Sequence, residues 1–381
     1  MNPFFLRPGP RLFWAIWLSI LALSALFWLA QRAHFGPWVG DYLVFWVGAR
    51  AFLAGTAPQL YAPERLLPLL TAALPGYEGL MGWFYPPSTL LFIAPLGALP
   101  FLPGLLLFEG GGLLVLSALL RRILPRATGL APWVFLLSSP AVWINVLAGQ
   151  NGLWSAALAG ASLITHRTRP MLSGILLGLL SIKPQMAVVL GVLYLFSGQR
   201  RSFWAALVTA LMLLLAGSTL SGVSLDAWLH SLHTASQFAS TRITATQTTL
   251  FGFCAVLGMP TPWAYGIQTM ESLLVLWYAL RVWRSSASDS MRYGVACLAT
   301  LLFSPYLLLY DEIWWVLAAA FLAASGRSLR TREKLLAAAC WVYPAIPSLF
   351  TAVFWHLQMS AILLLLALRL FPPGELPKRT V

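Results

Sequence analysis

The chain has 381 residues, of which 59% are hydrophobic and only 9% are charged, and its mean hydropathy is +0.79. A soluble protein of this size could not bury so much apolar surface, so the composition excludes that class and indicates a polytopic membrane protein. The formal net charge of +13 does not indicate nucleic-acid binding, because the basic residues fall into loop-sized clusters and form no single patch.

Nineteen of the 24 Lys and Arg residues lie in seven short segments that apolar stretches separate. Basic residues stay on the cytoplasmic side of a membrane protein, so these clusters predict which loops are inside. They place both termini in the cytoplasm and the polar motifs on the outer face of a bacterial inner membrane. The clusters are Arg7/Arg11, Arg121/Arg122/Arg126, Arg167/Arg169, Arg200/Arg201, Arg281/Arg284/Arg292, Arg327/Arg330/Arg332/Lys334 and Arg369/Lys378/Arg379.

The apolar stretches between the clusters predict an all-α fold, a single integral membrane domain over 1–381 with about twelve spans. The first stretch follows a basic amino terminus and shows no small-residue cleavage site, so we interpret it as a retained helix and not as a cleaved signal. The predicted spans are 12–30, 101–122, 130–147, 152–166, 170–182, 184–197, 202–220, 262–284, 292–308, 311–325, 334–350 and 355–370.

Two outer connections are long, 31–100 and 221–261. Within the first, 42–54 and 63–73 have amphipathic patterns too short to span, which predicts helices lying along the membrane interface. Residues 86–98 are apolar but bounded by prolines, so we expect a re-entrant or shielded half-helix.

Asp41 opens the first interfacial helix. Asp is favoured as a helix N-cap, and spacing alone weighs a cap and a functional acid about evenly. The two roles are compatible, since a carboxylate held at the membrane surface under a lid of helices is well placed to act as a general base.

Four further polar motifs fall at predicted outer ends. Lys183-Pro184-Gln185 contains the only outer lysine; it is either a snorkelling side chain or a partner for a phosphate, and its position against the charge bias favours function. Gly149-Gln150-Asn151 is typical of a tight turn with a cap, but two adjacent amides also suit a hydroxyl-rich ligand. Phe84-Tyr85-Pro86-Pro87 reads as a helix start or a rigid cavity wall, and Tyr310-Asp311-Glu312 reads as a solvated turn with an acidic cap.

Metal and redox sites find little support in the sequence. The three cysteines lie in apolar stretches without metal or disulfide spacing, and the histidines are scattered. We therefore expect neither a metal nor a cofactor. Glu109 and Glu271 fall within predicted spans, where acids are functional candidates or protonated groups hydrogen-bonded between helices.

This ordered set of motifs resembles the membrane glycosyltransferases of family 87 in the GT-C superfamily, the polyprenol-phosphate-mannose-dependent type. The resemblance runs across most of the chain, and each motif is weak on its own. One departure is Thr246-Gln247-Thr248, where the family leads us to expect an Asn-Gln-Ser-like segment. The residues that carry the resemblance are Gly40-Asp41-Tyr42, Trp46, Ala49-Arg50, Gly55, Pro58, Tyr61, Phe84-Tyr85-Pro86-Pro87, Gly149-Gln150-Asn151, Lys183-Pro184-Gln185, Ser304-Pro305 and Tyr310-Asp311.

The resemblance implies transfer of a monosaccharide, mannose by default, from a polyprenyl-phosphate donor to a lipid-linked or envelope glycan acceptor. Asp41 would be the general base of an inverting attack. The donor phosphate would lie against Lys183, with Arg242 or Arg50 helping. The acceptor and substrate side would be lined by Tyr42, Trp46, Tyr85, Gln150, Asn151, Gln185, Gln247, Tyr310 and Asp311.

Two other classes stay open at this point. A transporter or lipid flippase would more often show internal repeats and polar residues at the bilayer midplane, whereas here they gather at one face. A lipid-carrier glycan ligase or polymerase would be expected to carry its catalytic loop late in the chain, near 221–261, where Arg242, His230 and His233 lie. Substitution of Asp41 separates these readings, because the ligase reading predicts a loss at Arg242 instead.

Overall fold

The computed structural model of the protein describes residues 40–77, 82–125, 127, 129–241, 247–326, 330–342 and 344. Within these ranges the chain is helical, and its only β pairing is an isolated bridge between Gln247 and Leu308. The all-α prediction is confirmed for this part of the chain. The predicted spans 12–30 and 355–370 lie outside the described residues, as do both termini.

The helices follow one another with short connections. The first six are α1 (Tyr42–Leu53), α2 (Pro63–Ala73), α3 (Ser88–Gly97), α4 (Phe101–Ile123), α5 (Ala131–Leu137) and α6 (Pro140–Ala148). The next five are α7 (Gly152–Thr165), α8 (Pro170–Leu179), α9 (Pro184–Phe196), α10 (Arg200–Ser221) and α11 (Leu225–Thr241). The last five are α12 (Leu250–Val256), α13 (Thr261–Arg284), α14 (Asp289–Phe303), α15 (Ile313–Ala324) and α16 (Thr331–Val342).

The three short helices of the first outer connection occur close to where the sequence predicts them. The helices α1, α2 and α3 correspond to the patterns at 42–54, 63–73 and 86–98. Proline explains two of these starts, since it suits the first turn of a helix, where its missing N–H costs nothing. It is the first residue of α2, and the tandem pair Pro86-Pro87 directly precedes α3.

Two helices, α4 and α10, are long and apolar enough to cross a membrane. The α5–α6 pair passes the same test as one unit but is bent by 69° at its break. Pro140 explains the break, because it cannot donate a backbone hydrogen bond into the preceding turn. The remaining apolar helices are shorter, so the described residues contain two or three candidate spans and the count of twelve stays a prediction.

The helix α15 forms the centre of the larger hydrophobic core. Its residues from Ile313 to Phe321 are all buried, as expected for a helix that is apolar on every face. It packs against α14, α7 and α4. A second cluster of buried side chains joins α1 to α3 and α4.

Two helices lie where the sequence indicates only a polar connection, in 221–261. They are α11 and α12, which occupy most of this segment. The Ser and Thr content conceals a helical spacing of Leu225, Leu229 and Leu232 in α11, whose side chains are exposed.

The helices α1, α7, α9 and α15 all begin at a polar motif. The residues that precede them are Asp41, Asn151, Lys183 and Glu312. Contacts among these motifs bring the four helix starts to one end of the helix bundle.

Candidate active site

Asp41 stands at the N-cap position of α1, but its side chain accepts no hydrogen bond from the first turn of that helix. Its carboxylate instead accepts a hydrogen bond from the side-chain amide of Gln150, over one hundred residues away in the chain. A cap needs only its own helix, so this long-range bond favours the functional reading of Asp41 over the capping one.

Two glycines allow the segment around Asp41 to approach the turn that carries Gln150. A Cβ atom on Gly40 would lie 2.2 Å from the carbonyl oxygen of Ala148. Gly149 ends α6 with a φ of +68°, the left-handed conformation that glycine adopts without strain, and a Cβ there would lie 2.4 Å from the Cβ of Tyr42. The Asp41–Gln150 hydrogen bond therefore depends on two positions where only glycine fits.

Gln150 is held from both sides. Its side-chain oxygen accepts a hydrogen bond from the Tyr85 hydroxyl at 3.1 Å, which leaves the amide nitrogen aimed at Asp41. The buried amide of Asn145, with its nitrogen facing the Gln150 carbonyl at 2.9 Å and its oxygen facing the Gly152 N–H at 3.0 Å, closes the turn. Tyr85 is fixed in turn, because its backbone carbonyl accepts from the Tyr61 hydroxyl at 2.9 Å.

The surroundings of Asp41 tune its acidity. Burial raises the pKa of the Asp41 carboxyl above its ordinary value of 3.8, while the hydrogen bond from Gln150 and the charge of Lys183 lower it in part. Burial also raises the pKa of Tyr85, and the charge of Asp41 adds to this effect. A carboxylate with a raised pKa is a stronger proton acceptor, which is what general-base catalysis requires.

Lys183 forms a buried ion pair with Asp311. The second carboxylate oxygen of Asp311 accepts the backbone N–H of Leu308 at 3.3 Å. The ammonium of Lys183 also lies 4.8 Å from the centre of the Tyr310 ring. Lys183 is 3% exposed and Asp311 1% exposed, so neither the snorkelling lysine nor the solvated turn considered for the sequence describes this pair.

The Gln247 segment packs beside the Tyr310 turn. Gln247 pairs with Leu308 in the isolated bridge, and the N–H of Thr248 donates to Leu307 at 3.0 Å. Thr249 supports the segment by capping α12 and by donating to the carbonyl of Pro305. The predicted role of Gln247 at the site is untested, but the bridge places its backbone next to the predicted substrate residues.

Asn151 is buried at the start of α7, and neither polar atom of its side chain has a hydrogen-bond partner within the described part of the chain. The capping role considered for it is therefore not seen. Buried amides are normally satisfied, so an unpaired one beside Gln150 is suited to a polar ligand.

The contacts seen for the other predicted binding residues are with groups other than Asp41. Tyr42 is buried between the rings of Phe101 and Phe108. The indole of Trp46 donates to the carbonyl of Leu99 at 2.9 Å. Arg50 is exposed and stacks on Trp46, about 13 Å from Asp41 along α1. Gln185 is half-buried in the first turn of α9, and Arg242 lies outside the described residues.

Two residues outside the predicted set join the cluster. The amide of Asn145 holds the Gln150 turn, and Tyr306 is close enough to Asp41 and Asp311 to interact with their charges. An Asn inside an otherwise apolar stretch, five residues before Gln150, was the available signal for the first. Tyr306 belongs to the same Tyr-rich motif as Tyr310 and could have been predicted with it.

The other candidate groups make no hydrogen bond with Asp41 in the described part of the chain. Glu109 is buried in α4, and neither of its carboxylate oxygens has a hydrogen-bond partner among the described residues, whereas Glu271 accepts from Gln268 at 3.1 Å. His230 and His233, which keep the ligase reading open, are exposed on α11. Within the described ranges no three His, Cys, Asp or Glu residues are grouped as a metal site would require.

Comparison with known proteins identifies one family. The sequence model of glycosyltransferase family 87 matches residues 83–305, which is more than half of the chain. The match includes Tyr85, Gln150 and Lys183, whereas Asp41 and Asp311 lie on either side of it. No curated protein and no solved structure matches the chain.

Substitution of Gly40 tests whether the close approach of the two segments holds the site together. We expect Gly40→Ala to lower the free energy of unfolding of the purified protein by about 1–3 kcal/mol, and with it the Tm, because the new methyl group overlaps the backbone of Ala148. The matched control is Gly110→Ala in α4, where a Cβ meets no atom within 4 Å. If both variants unfold at the temperature of the unaltered protein, the packing described here is wrong.

Proposed function

The chain belongs to glycosyltransferase family 87, and from this membership we propose that it transfers one sugar, mannose as the first candidate, from a polyprenyl-phosphate donor to a lipid-linked or envelope glycan acceptor. The family membership makes it a membrane glycosyltransferase. The donor, the sugar, the inverting course and the outward-facing site are parts of the proposal.

The hydrogen bond between Asp41 and Gln150 is the observation that carries this proposal. It joins the first interfacial helix to the matched part of the chain. It also orients the Asp41 carboxylate, whose pKa burial raises. The charge of Lys183 acts on this carboxylate. A general base and a phosphate-binding cation are the two groups that sugar transfer from a phosphate donor needs.

Asp41 would act on the acceptor. As the acceptor hydroxyl attacks the anomeric carbon, its oxygen forms the new glycosidic bond and its proton passes to the Asp41 carboxylate. The bond between the anomeric carbon and the phosphate oxygen breaks on the opposite face, so the configuration inverts. The leaving polyprenyl phosphate is stable as an anion and needs no general acid.

Lys183 would act on the donor. Its ammonium is a compact charge suited to a phosphate oxygen, and it stabilises the negative charge that develops on the leaving group. In the structure this ammonium is paired with Asp311. Donor binding therefore either adds a phosphate to this pair or replaces the carboxylate, and the two substitutions of the pair should differ in their effects.

Polar groups near the carboxylate are available for the hydroxyls of the sugars. The amide of Asn151, which has no partner among the described residues, suits hydrogen bonding, and the ring of Tyr310 beside Lys183 suits stacking. We assign Tyr85 and Gln150 to positioning Asp41 as well as to binding.

Replacing Asp41 tests the proposed base. Incubation with radiolabelled polyprenyl-phosphate mannose and a lipid extract of the host should give a labelled glycolipid with the unaltered protein. Asp41→Asn should lower the transfer rate by about 100-fold or more, because the amide cannot accept the proton, while donor binding is retained. The control is Glu64→Gln, an exposed acid in the first turn of α2, which should keep full activity. Turnover that survives in Asp41→Asn would rule out this role.

The hydrogen bond from Gln150 should affect the pH dependence of kcat/KM through the pKa of Asp41. Burial places the pKa of Asp41 above 3.8, so kcat/KM should rise with pH as the carboxyl loses its proton. Gln150→Leu removes a hydrogen bond that lowers this pKa, and we expect the acidic limb of the kcat/KM profile to move to higher pH. Gln59→Leu, which changes a half-buried amide elsewhere in the outer connection, should leave the limb in place. A limb that does not move in Gln150→Leu would contradict the assignment.

Substitutions in the Lys183–Asp311 ion pair test donor binding and stability separately. Lys183→Met and Asp311→Asn each leave a buried partner uncompensated, so both should destabilise the protein, by about 3–5 kcal/mol at most. We expect only Lys183→Met to raise the KM for the donor, by about tenfold, since Asp311→Asn keeps the ammonium. The double variant should recover stability but not donor affinity. Equal donor KM values in the two single variants would assign the pair a structural role alone.

A further inference from the structure

A polar pocket lies at the opposite ends of the helices that begin at the candidate active site. The helix α7 begins after Asn151 and ends just before His166, and α9 begins after Lys183 and ends at Phe196. At 1.5 Å per residue, the 14 residues of α7 separate the two regions by about 21 Å. The pocket is therefore distinct from the site around Asp41, and it lies on the face predicted to be cytoplasmic.

The pocket has a volume of about 860 Å³, within the range of sites that hold small ligands. Three of its lining residues are arginines, and His166 and Trp283 form an aromatic wall. It is lined by His166, Arg167, Pro170, Phe196, Ser197, Gly198, Gln199, Trp283, Arg284 and Arg292.

The wall is held in place by contacts of its own. The ring of His166 is stacked on Tyr194, with 5.8 Å between the ring centres, and its Nδ1 is 2.9 Å from the hydroxyl of Tyr293. The Trp283 ring is 5.6 Å from that of His166. The cavity is thus bounded by a packed aromatic cluster and not by loose loops.

The pocket carries more positive charge than the described carboxylates neutralise. Asp289 is the one carboxylate paired with these arginines in the described part of the chain, and it accepts from both Arg167 at 2.6 Å and Arg292 at 3.0 Å. Within the described residues, the hydrogen bonds of the Arg284 side chain go to the carbonyl of Phe196, at 2.7 and 3.2 Å. The buried Nε of Arg292 has no hydrogen-bond partner among the described residues. The pocket can therefore take an anion with two negative charges or fewer without excess.

Its surroundings favour an anion that is attached to an apolar chain. Phe196, at the end of α9, is 54% exposed, and Met171 on α8, next to Pro170 of the pocket lining, is 57% exposed. A soluble anion would gain nothing from these side chains, whereas acyl chains would cover them. Basic pockets between helices on the cytoplasmic side are a recurring type of site for anionic lipid headgroups.

We propose that this pocket binds the phosphate of an anionic phospholipid headgroup from the leaflet on the arginine-rich side. Arg284 would donate N–H groups that do not bind Phe196 to a phosphate oxygen, and Arg167 and Arg292 would share the charge between the phosphate and Asp289. The acyl chains would extend past Phe196. This site is independent of the proposed sugar transfer, and it concerns lipid binding and stability.

The test measures thermal unfolding of the full-length protein, purified in a neutral detergent, with three additions. Dioctanoyl phosphatidylglycerol should raise the Tm in a saturable way, because a ligand of the folded state stabilises it by mass action. Dioctanoyl phosphatidylcholine and inorganic phosphate, at the same concentrations, should not. An equal rise with inorganic phosphate would overturn the lipid assignment in favour of a soluble anion, and an equal rise with phosphatidylcholine would leave the arginines without a role.

Two pairs of substitutions show whether the pocket is responsible. Arg167→Gln with Arg284→Gln should weaken the apparent affinity for phosphatidylglycerol by about tenfold or more, since charge-assisted hydrogen bonds are lost. The matched control, Arg121→Gln with Arg122→Gln at the end of α4, removes the same charge on the same face outside the pocket and should bind as the unaltered protein does. Equal affinities in the two double variants would refute the proposal. If the pocket double variant does not fold, Arg284→Gln alone should still weaken binding relative to Arg121→Gln.

Discussion

The close packing of residues 40–42 against 147–149 is the contact on which the candidate site depends. It brings a carboxylate from the first outer connection to an amide that begins the central part of the bundle. The Asp41–Gln150 hydrogen bond joins two segments that are far apart in the chain, so neither segment could form it alone. Because the space between the two backbones admits no Cβ, glycine at both positions sets how closely the segments approach. The Tyr61–Tyr85–Gln150 series of hydrogen bonds then fixes the direction in which the amide points.

The second feature of the site is that its charges are paired away from water. A buried ion pair adds little net stability, because desolvation of both ions offsets their attraction. The pair between Lys183 and Asp311 fits the proposed role of Lys183, because the carboxylate holds an ammonium in an apolar region. The same argument applies to Asp41, whose hydrogen bond from Gln150 replaces part of the hydration that burial removes. In the proposed reaction both groups would act in surroundings of low polarity, where electrostatic effects on a reacting group are large.

Much of the architecture could be predicted from the residues alone. Apolar periodicity and proline positions predicted α1 to α4 closely, and the family resemblance is confirmed over residues 83–305. The α11 and α12 helices were missed because Ser and Thr obscure the leucine spacing of that segment.

The partners of Asp41 and Lys183 could not be deduced, since a long-range contact leaves no trace in local spacing. Tyr42 and Trp46 belong to the recognised motif, but the structure shows them in packing and in a backbone hydrogen bond. Arg50 stands apart from the cluster for a simple reason, that two and a half turns of helix separate it from Asp41.

The length of the helices beneath the site has a consequence for the membrane itself. The α7 and α9 helices rise about 21 and 20 Å, whereas the hydrocarbon core of a bilayer is about 30 Å thick. With the arginine-rich ends at the inner interface, as the basic clusters predict, the opposite ends would stop short of the outer headgroups by about 9 or 10 Å. A short hydrophobic length of this kind is accommodated when the bilayer thins locally or when the protein leaves a recess at its outer surface. In the proposed reaction, either response would let a long-chain lipid phosphate reach Lys183 while its tail stays in the bilayer.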